Sequence, residues 1–287
     1  MHDRFERFFA PKFLLFFNVA IIIAAETVGG GRWFYDTGFI HVPVIIFLFL
    51  ACTRIFGRYR LFDRASRRFL GWNLMALVLL LLSHAVEFAD QNFDNGWDAA
   101  TVYGAVISLH LAAFLAVTIG AYPILKAFGK SRSALAWTVL SVAVAVTALY
   151  ESLAAFLGYV PGVSPILFMA FTFVAGLSTI IPLMIVSQHV PKLEDFCLHL
   201  TGALIFSIVA TTVDAFHLTA GGQYALYQQA TYISHFAFYA ALSLMFLALG
   251  KLANSGGAFE LSDVIAASQK REAGIKRKSD AMAGKGV

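Results

Sequence analysis

The chain has 287 residues, of which 59% are hydrophobic and only 13% charged, with a net charge of +4 and a mean hydropathy of +0.75. That balance excludes a soluble domain of this length and dictates a polytopic membrane protein. The positive charge is gathered in loops, where it reports orientation and lipid contact, so nucleic acid is excluded as a partner.

At the start, Phe5, Phe8 and Phe9 alternate with Arg4, Glu6 and Arg7 and end at Pro11, the pattern of a short interfacial helix. Apolar runs long enough to cross the hydrocarbon core then follow at about 12–28, 37–56, 69–90, 100–126, 134–158, 164–188, 196–218 and 228–250. The first is read as a retained span, because Glu26, Thr27 and Gly29-Gly30-Gly31 do not make a small-x-small cleavage site. The expected fold is all-α, a bundle of about eight transmembrane helices over residues 1–250. Residues 251–287 form a basic tail in which Ser262 caps a short amphipathic helix.

Lys and Arg in the short loops orient the bundle. Arg4, Arg7 and Lys12 precede the first span, and Arg54, Arg58, Arg60, Arg64, Arg67 and Arg68 crowd the second loop. Lys126, Lys130, Arg132, Lys192 and Lys251 follow later even-numbered spans. The opposite loops carry Asp36, Asp90, Asp94 and Asp98, so both termini are expected in the cytoplasm, in a bacterial inner (plasma) membrane. The arginine-rich loop is suited to anionic lipids, with a partner subunit or a second copy of the chain as alternatives. Cys52 and Cys197 fall near inward helix ends and are expected to stay thiols.

Nine ionisable side chains recur near the outward ends of otherwise apolar spans: Glu26, His41, His84, Glu87, His110, Glu151, Asp214, His217 and His235. At 1.5 Å rise per residue they lie roughly 5–15 Å from their span midpoints, all on the periplasmic or exterior side. Charged groups at such depths are costly, and their segregation to one side points to a site. The pattern also repeats: Glu26 and Glu151 close spans one and five, His84-x-x-Glu87 and Asp214-x-x-His217 sit on spans three and seven, and His110 and His235 follow on spans four and eight. Two four-helix halves, 1–130 and 131–250, related by duplication would account for it.

An imidazole and a carboxylate at i,i+3 share one helical face and can bind one ion. Lone carboxylates combined with such pairs are the ligand stock of helical-bundle metal sites. The expected metal ligands are Glu26, His41, His84, His110, Glu151, His217 and His235, with Glu87 and Asp214 moving protons and Tyr103, Tyr150 and Tyr232 as nearby donors. Five histidines suit iron or copper, or zinc, better than calcium or magnesium. The expected activity is metal-dependent oxidation of a small or lipophilic substrate, with hydrolysis the alternative if the metal is zinc. Two further readings stand beside it. One is a b-type haem between axial imidazoles, His84 with His217 or His110 with His235, in a cytochrome that exchanges electrons with quinone. The other is a divalent-metal or proton transporter. No nucleotide loop, Rossmann glycine pattern, nucleophile elbow or Cys-x-x-Cys-His occurs.

Overall fold

In lipid every backbone N–H and C=O must be satisfied within the protein, so long apolar runs have helix as their ready solution. The computed structural model describes residues 41–58, 64–93, 99–127, 129–156, 165–189, 193–217 and 224–254, with a few isolated positions beyond, and in this part of the chain every element is helical. The helices are α1 (His41–Arg58), α2 (Arg64–Asn92), α3 (Ala99–Ala127), α4 (Ser131–Phe156), α5 (Pro165–His189), α6 (Glu194–His217) and α7 (Tyr224–Asn254). Four carry stretches long and apolar enough to cross a membrane: Arg67–Asn92, Gly104–Lys126, Ile166–Gln188 and Glu194–Val213. His41–Thr53, Leu135–Glu151 and Ile233–Ala248 are shorter apolar helices. These seven coincide with the second to eighth expected spans, whereas 12–28, the interfacial start and most of the tail lie outside the described residues.

Sequence neighbours pack side by side. The turn from α3 to α4 shows why such short links suffice. Gly129 takes a positive φ of 72°, its N–H donates to the Lys126 carbonyl, and the Lys130 N–H donates to the Leu125 carbonyl. This pair of bonds is a Schellman cap, and the left-handed residue in it favours glycine.

α3 is the axis of the bundle, with Val106, Ile107, Leu111 and Phe114 buried on several sides. It packs against α2, α4 and α5, while α5 and α7 flank α6, and α1 closes the arrangement between α2 and α7. α4 lies outside this ring on α3 and α5 and exposes Val139, Val146, Leu149 and Leu153, an apolar face suited to lipid.

Close approach and hydroxyl bonds hold the interior, because two apolar helices gain little from each other in a medium as apolar as themselves. A Cβ at Gly120 would come within 3.0 Å of Trp72 Cβ and 3.3 Å of the Phe69 carbonyl, so glycine sets the α2–α3 distance there. The Thr118 and Thr179 hydroxyls are 2.9 Å apart, joining α3 to α5, and Ser141 bonds Ser178 between α4 and α5. At the far end from His41, Lys251 Nζ meets Asp195 Oδ2 at 2.9 Å, an exposed pair that contributes little.

Candidate metal centre

His41 is the first residue of α1, and the run of α2 past it brings His84 and Glu87 to the same level. The i,i+3 spacing puts the last two on one helical face, which α2 turns toward α1. His41 Nδ1 lies 3.2 Å from His84 Nδ1 and 3.2 Å from Glu87 Oε2, and His84 Nδ1 lies 3.1 Å from the same oxygen. All three residues are buried.

The triangle has the size of a metal-ligand face. A point 2.0–2.1 Å from all three atoms, the usual zinc–nitrogen and zinc–oxygen distance, lies about 1 Å off their plane, and the bonds to it open at about 100°. That angle lies between octahedral and tetrahedral values. Hydrogen bonds serve the cluster less well. Glu87 Oε2 is near two imidazole nitrogens yet has no hydrogen-bond partner of proper geometry, and Nε2 of both His41 and His84 is also buried without one among the described residues. One proton cannot lie along three edges of a triangle, whereas one cation can accept three lone pairs at once. His41, His84 and Glu87 form the described group able to hold a metal ion.

Two more histidines extend the row. The His235 ring, from α7, meets His41 edge-on at 5.0 Å between centroids, and the His110 ring, from α3, lies 6.0 Å from His84. Four helices thus deliver four imidazoles in the spatial order His235, His41, His84, His110. His110 is engaged at both nitrogens: Nε2 is 2.9 Å from Ser83 Oγ and Nδ1 is 2.9 Å from Thr211 Oγ1. These contacts join α3 to α2 and α6 beside the cluster. Phe238 packs edge-on against His84 at 4.7 Å and tilted against His110 at 5.1 Å, walling the site on the α7 side.

The remaining expected ligands are distributed differently. Glu151 is half-buried on α4, which packs against α3 and α5, away from α1. Tyr150 beside it is exposed at 68%. Asp214 and His217 lie in the last turn of α6, with side chains outside the described residues, as are those of Tyr103 and Tyr232; Glu26 lies outside them altogether. Ser83, Thr211 and Phe238 were not legible as site residues, since serines, threonines and phenylalanines fill these spans everywhere. The adjacency of Ser83 to His84 was the one available signal.

His110→Ala is therefore expected to leave metal content unchanged while lowering the melting temperature. It strands the Thr211 hydroxyl and opens a cavity, together costing about 1–3 kcal/mol or more. Elemental analysis and thermal unfolding of the same sample check both halves. Loss of metal in this variant would make His110 a ligand.

No family model matches the chain, and no curated protein or solved structure matches it either.

Proposed function

We propose that this protein is an integral membrane metalloenzyme in which His41, His84 and Glu87 hold one transition-metal ion, iron favoured, for oxidation of a small or lipophilic substrate. The observation that carries the reading is the triangle of three buried ligand atoms, 3.1–3.2 Å apart, drawn from two helices. Two histidines and one carboxylate on a single face are the donor set of non-haem iron(II) oxygenases, which leaves the opposite coordination positions open to substrate and dioxygen. Bound there, the metal would supply activation of dioxygen, or of water if the ion is zinc. The residues' own tasks are separate from that chemistry. Glu87 lowers the charge of the site, the two imidazoles fix the open face, Phe238 excludes water from the α7 side, and His235 stands close enough to His41 to pass a proton or to add a fourth ligand.

The same geometry counts against the alternatives. Of the axial pairs a b-type haem could use, His110 with His235 is disfavoured, because the Ser83 and Thr211 hydroxyls hold both His110 nitrogens. An ion path would require polar groups beyond the cluster, and the space there is lined almost wholly by apolar side chains. The basic loops support a site on the periplasmic or exterior side, with anionic lipids at the Arg-rich loop.

The test is elemental analysis of protein purified in detergent, with an ultraviolet–visible spectrum of the same sample. The expected result is close to one iron per chain and no Soret band. Zinc in its place would redirect the activity to hydrolysis. A Soret band would make the protein a cytochrome, and a preparation without metal or chromophore would sink the metalloenzyme reading.

A further inference from the structure

One carboxylate on the cluster's own helix is left over by the triangle. α2 carries Asp90 one turn beyond Glu87, so His84, Glu87 and Asp90 follow one another at i,i+3 along one face, each step rising about 4.5 Å. Exposure increases in the same order: His84 is 1% exposed, Glu87 8%, Asp90 half-buried, and Phe93, the next position on that face, 64%. Glu87 thus lies within two turns of the end of α2.

Local physics opposes an acid at position 90. It falls in the last turn of α2, where the helix dipole disfavours negative charge and no basic residue offsets it, and Glu87 is close enough for the two like charges to interact. A cation between the two carboxylates relieves both effects. Along α1, α2, α3 and α7, the helices that supply the row of imidazoles, Glu87 and Asp90 are the only acidic residues.

The opposite direction offers an ion nothing. A cavity of ≈ 60 Å³, framed by α1, α2, α3, α6 and α7, lies against His84. Its other two polar side chains are engaged within their own helices, Asn73 Nδ2 donating to the Phe69 carbonyl at 2.8 Å and Ser207 Oγ to the Ala203 carbonyl at 2.9 Å, and the rest of the lining is apolar. A cation needs a new oxygen or nitrogen for each water it gives up, so this wall closes the inner side.

We infer that Asp90 is the outer station of the metal's route: a divalent cation is captured there from solution, passes to Glu87 and completes its ligand set at His84 and His41. The inference rests on the metalloenzyme reading and adds the side and the residue through which the site is filled. Glu87 Oε2 is buried without a hydrogen-bond partner of proper geometry among the described residues and stands 3.1 Å from His84 Nδ1, so it can receive an ion from Asp90 and share it with the imidazole.

The test is the kinetics of Co²⁺ uptake by the metal-free full chain in lipid nanodiscs, followed by the visible absorption of the bound ion, and of its release to excess EDTA. Asp90→Asn, close in shape, should slow uptake and release alike, each at least about tenfold, while filling to the same level as the wild type at saturating Co²⁺. Asp90→Glu should restore both rates. The pairing of the rates separates a route from a mere charge. Loss of a distant negative charge slows uptake but hastens release, so that pattern overturns the inference, as do unchanged rates. A folded Asp90→Asn protein that no longer fills also overturns it, by making Asp90 a resident ligand. Should the asparagine variant fail to fold, Asp90→Ser, which removes the charge and shortens the reach, takes its place. Co²⁺ that the wild type binds no better than Glu87→Gln would overturn the metal reading, whereas tight Co²⁺ with rates indifferent to residue 90 would overturn the entry role alone.

Discussion

Replacing His84 with alanine is expected to strip the protein of its metal, weakening binding by more than about 100-fold, since loss of a partner behind a ligand already costs 10–100-fold. The His84 Nδ1 atom is one corner of the triangle, 3.2 Å from His41 Nδ1 and 3.1 Å from Glu87 Oε2. His41→Ala and Glu87→Ala should do the same. Glu87→Gln is the more discriminating change. It keeps the shape of the side chain and one acceptor oxygen, while removing the negative charge and replacing the second oxygen with an amide donor. A cluster held together only by hydrogen bonds would tolerate glutamine, whereas a metal site would not.

Stability supplies a second readout, because an ion that binds only the folded chain raises its stability by mass action. A chelator should therefore lower the melting temperature of the wild type and leave that of His84→Ala or Glu87→Gln where it is. Equal metal content in wild type and Glu87→Gln, or a melting temperature indifferent to chelation in all of them, would remove the metal from the site.

Gly176→Ala is expected to destabilise the bundle by about 1–3 kcal/mol, the usual cost of forcing an extra methyl into a filled interior. Gly176 is buried on α5, and a Cβ built on it would overlap Cγ1 and Cδ1 of Ile208 on α6, whose own Cβ would be 3.7 Å away. Ile208 cannot simply turn aside, because a β-branched side chain in a helix has one strongly preferred χ1. Relief requires α5 and α6 to separate, which undoes packing on both sides of the contact. Ile208→Ala removes the obstructing atoms, so the double variant Gly176→Ala/Ile208→Ala should recover most of the loss. A thermodynamic cycle of the four proteins by thermal or denaturant unfolding measures the coupling. Additive effects in that cycle would mean that Gly176 does not set the α5–α6 distance.

The sequence by itself determined the class of protein, seven of the helices, and the band in which the buried His41–His84–Glu87 cluster lies. Each is a one-dimensional property: apolar runs of membrane length must become helices, and a histidine or carboxylate inside such a run is expensive wherever that helix goes. The i,i+3 pair His84–Glu87 was readable for the same reason, because one helix alone fixes which of its residues share a face. What only the tertiary structure decided was convergence. That His41, across the loop from α2, meets this pair at 3.2 Å depends on how α1 rotates about its own axis against α2, and no periodicity encodes a rotation. The same holds for His110, which depth alone grouped with the ligands and which packing engages with Ser83 and Thr211. Glu151 shares its depth with the site but rides on α4, outside the ring that frames the cavity. Depth follows from counting residues along one helix; direction follows from the side chains of its neighbours, where glycines at 120 and 176 and hydroxyls at 118 and 179 set how closely and at what angle the helices meet.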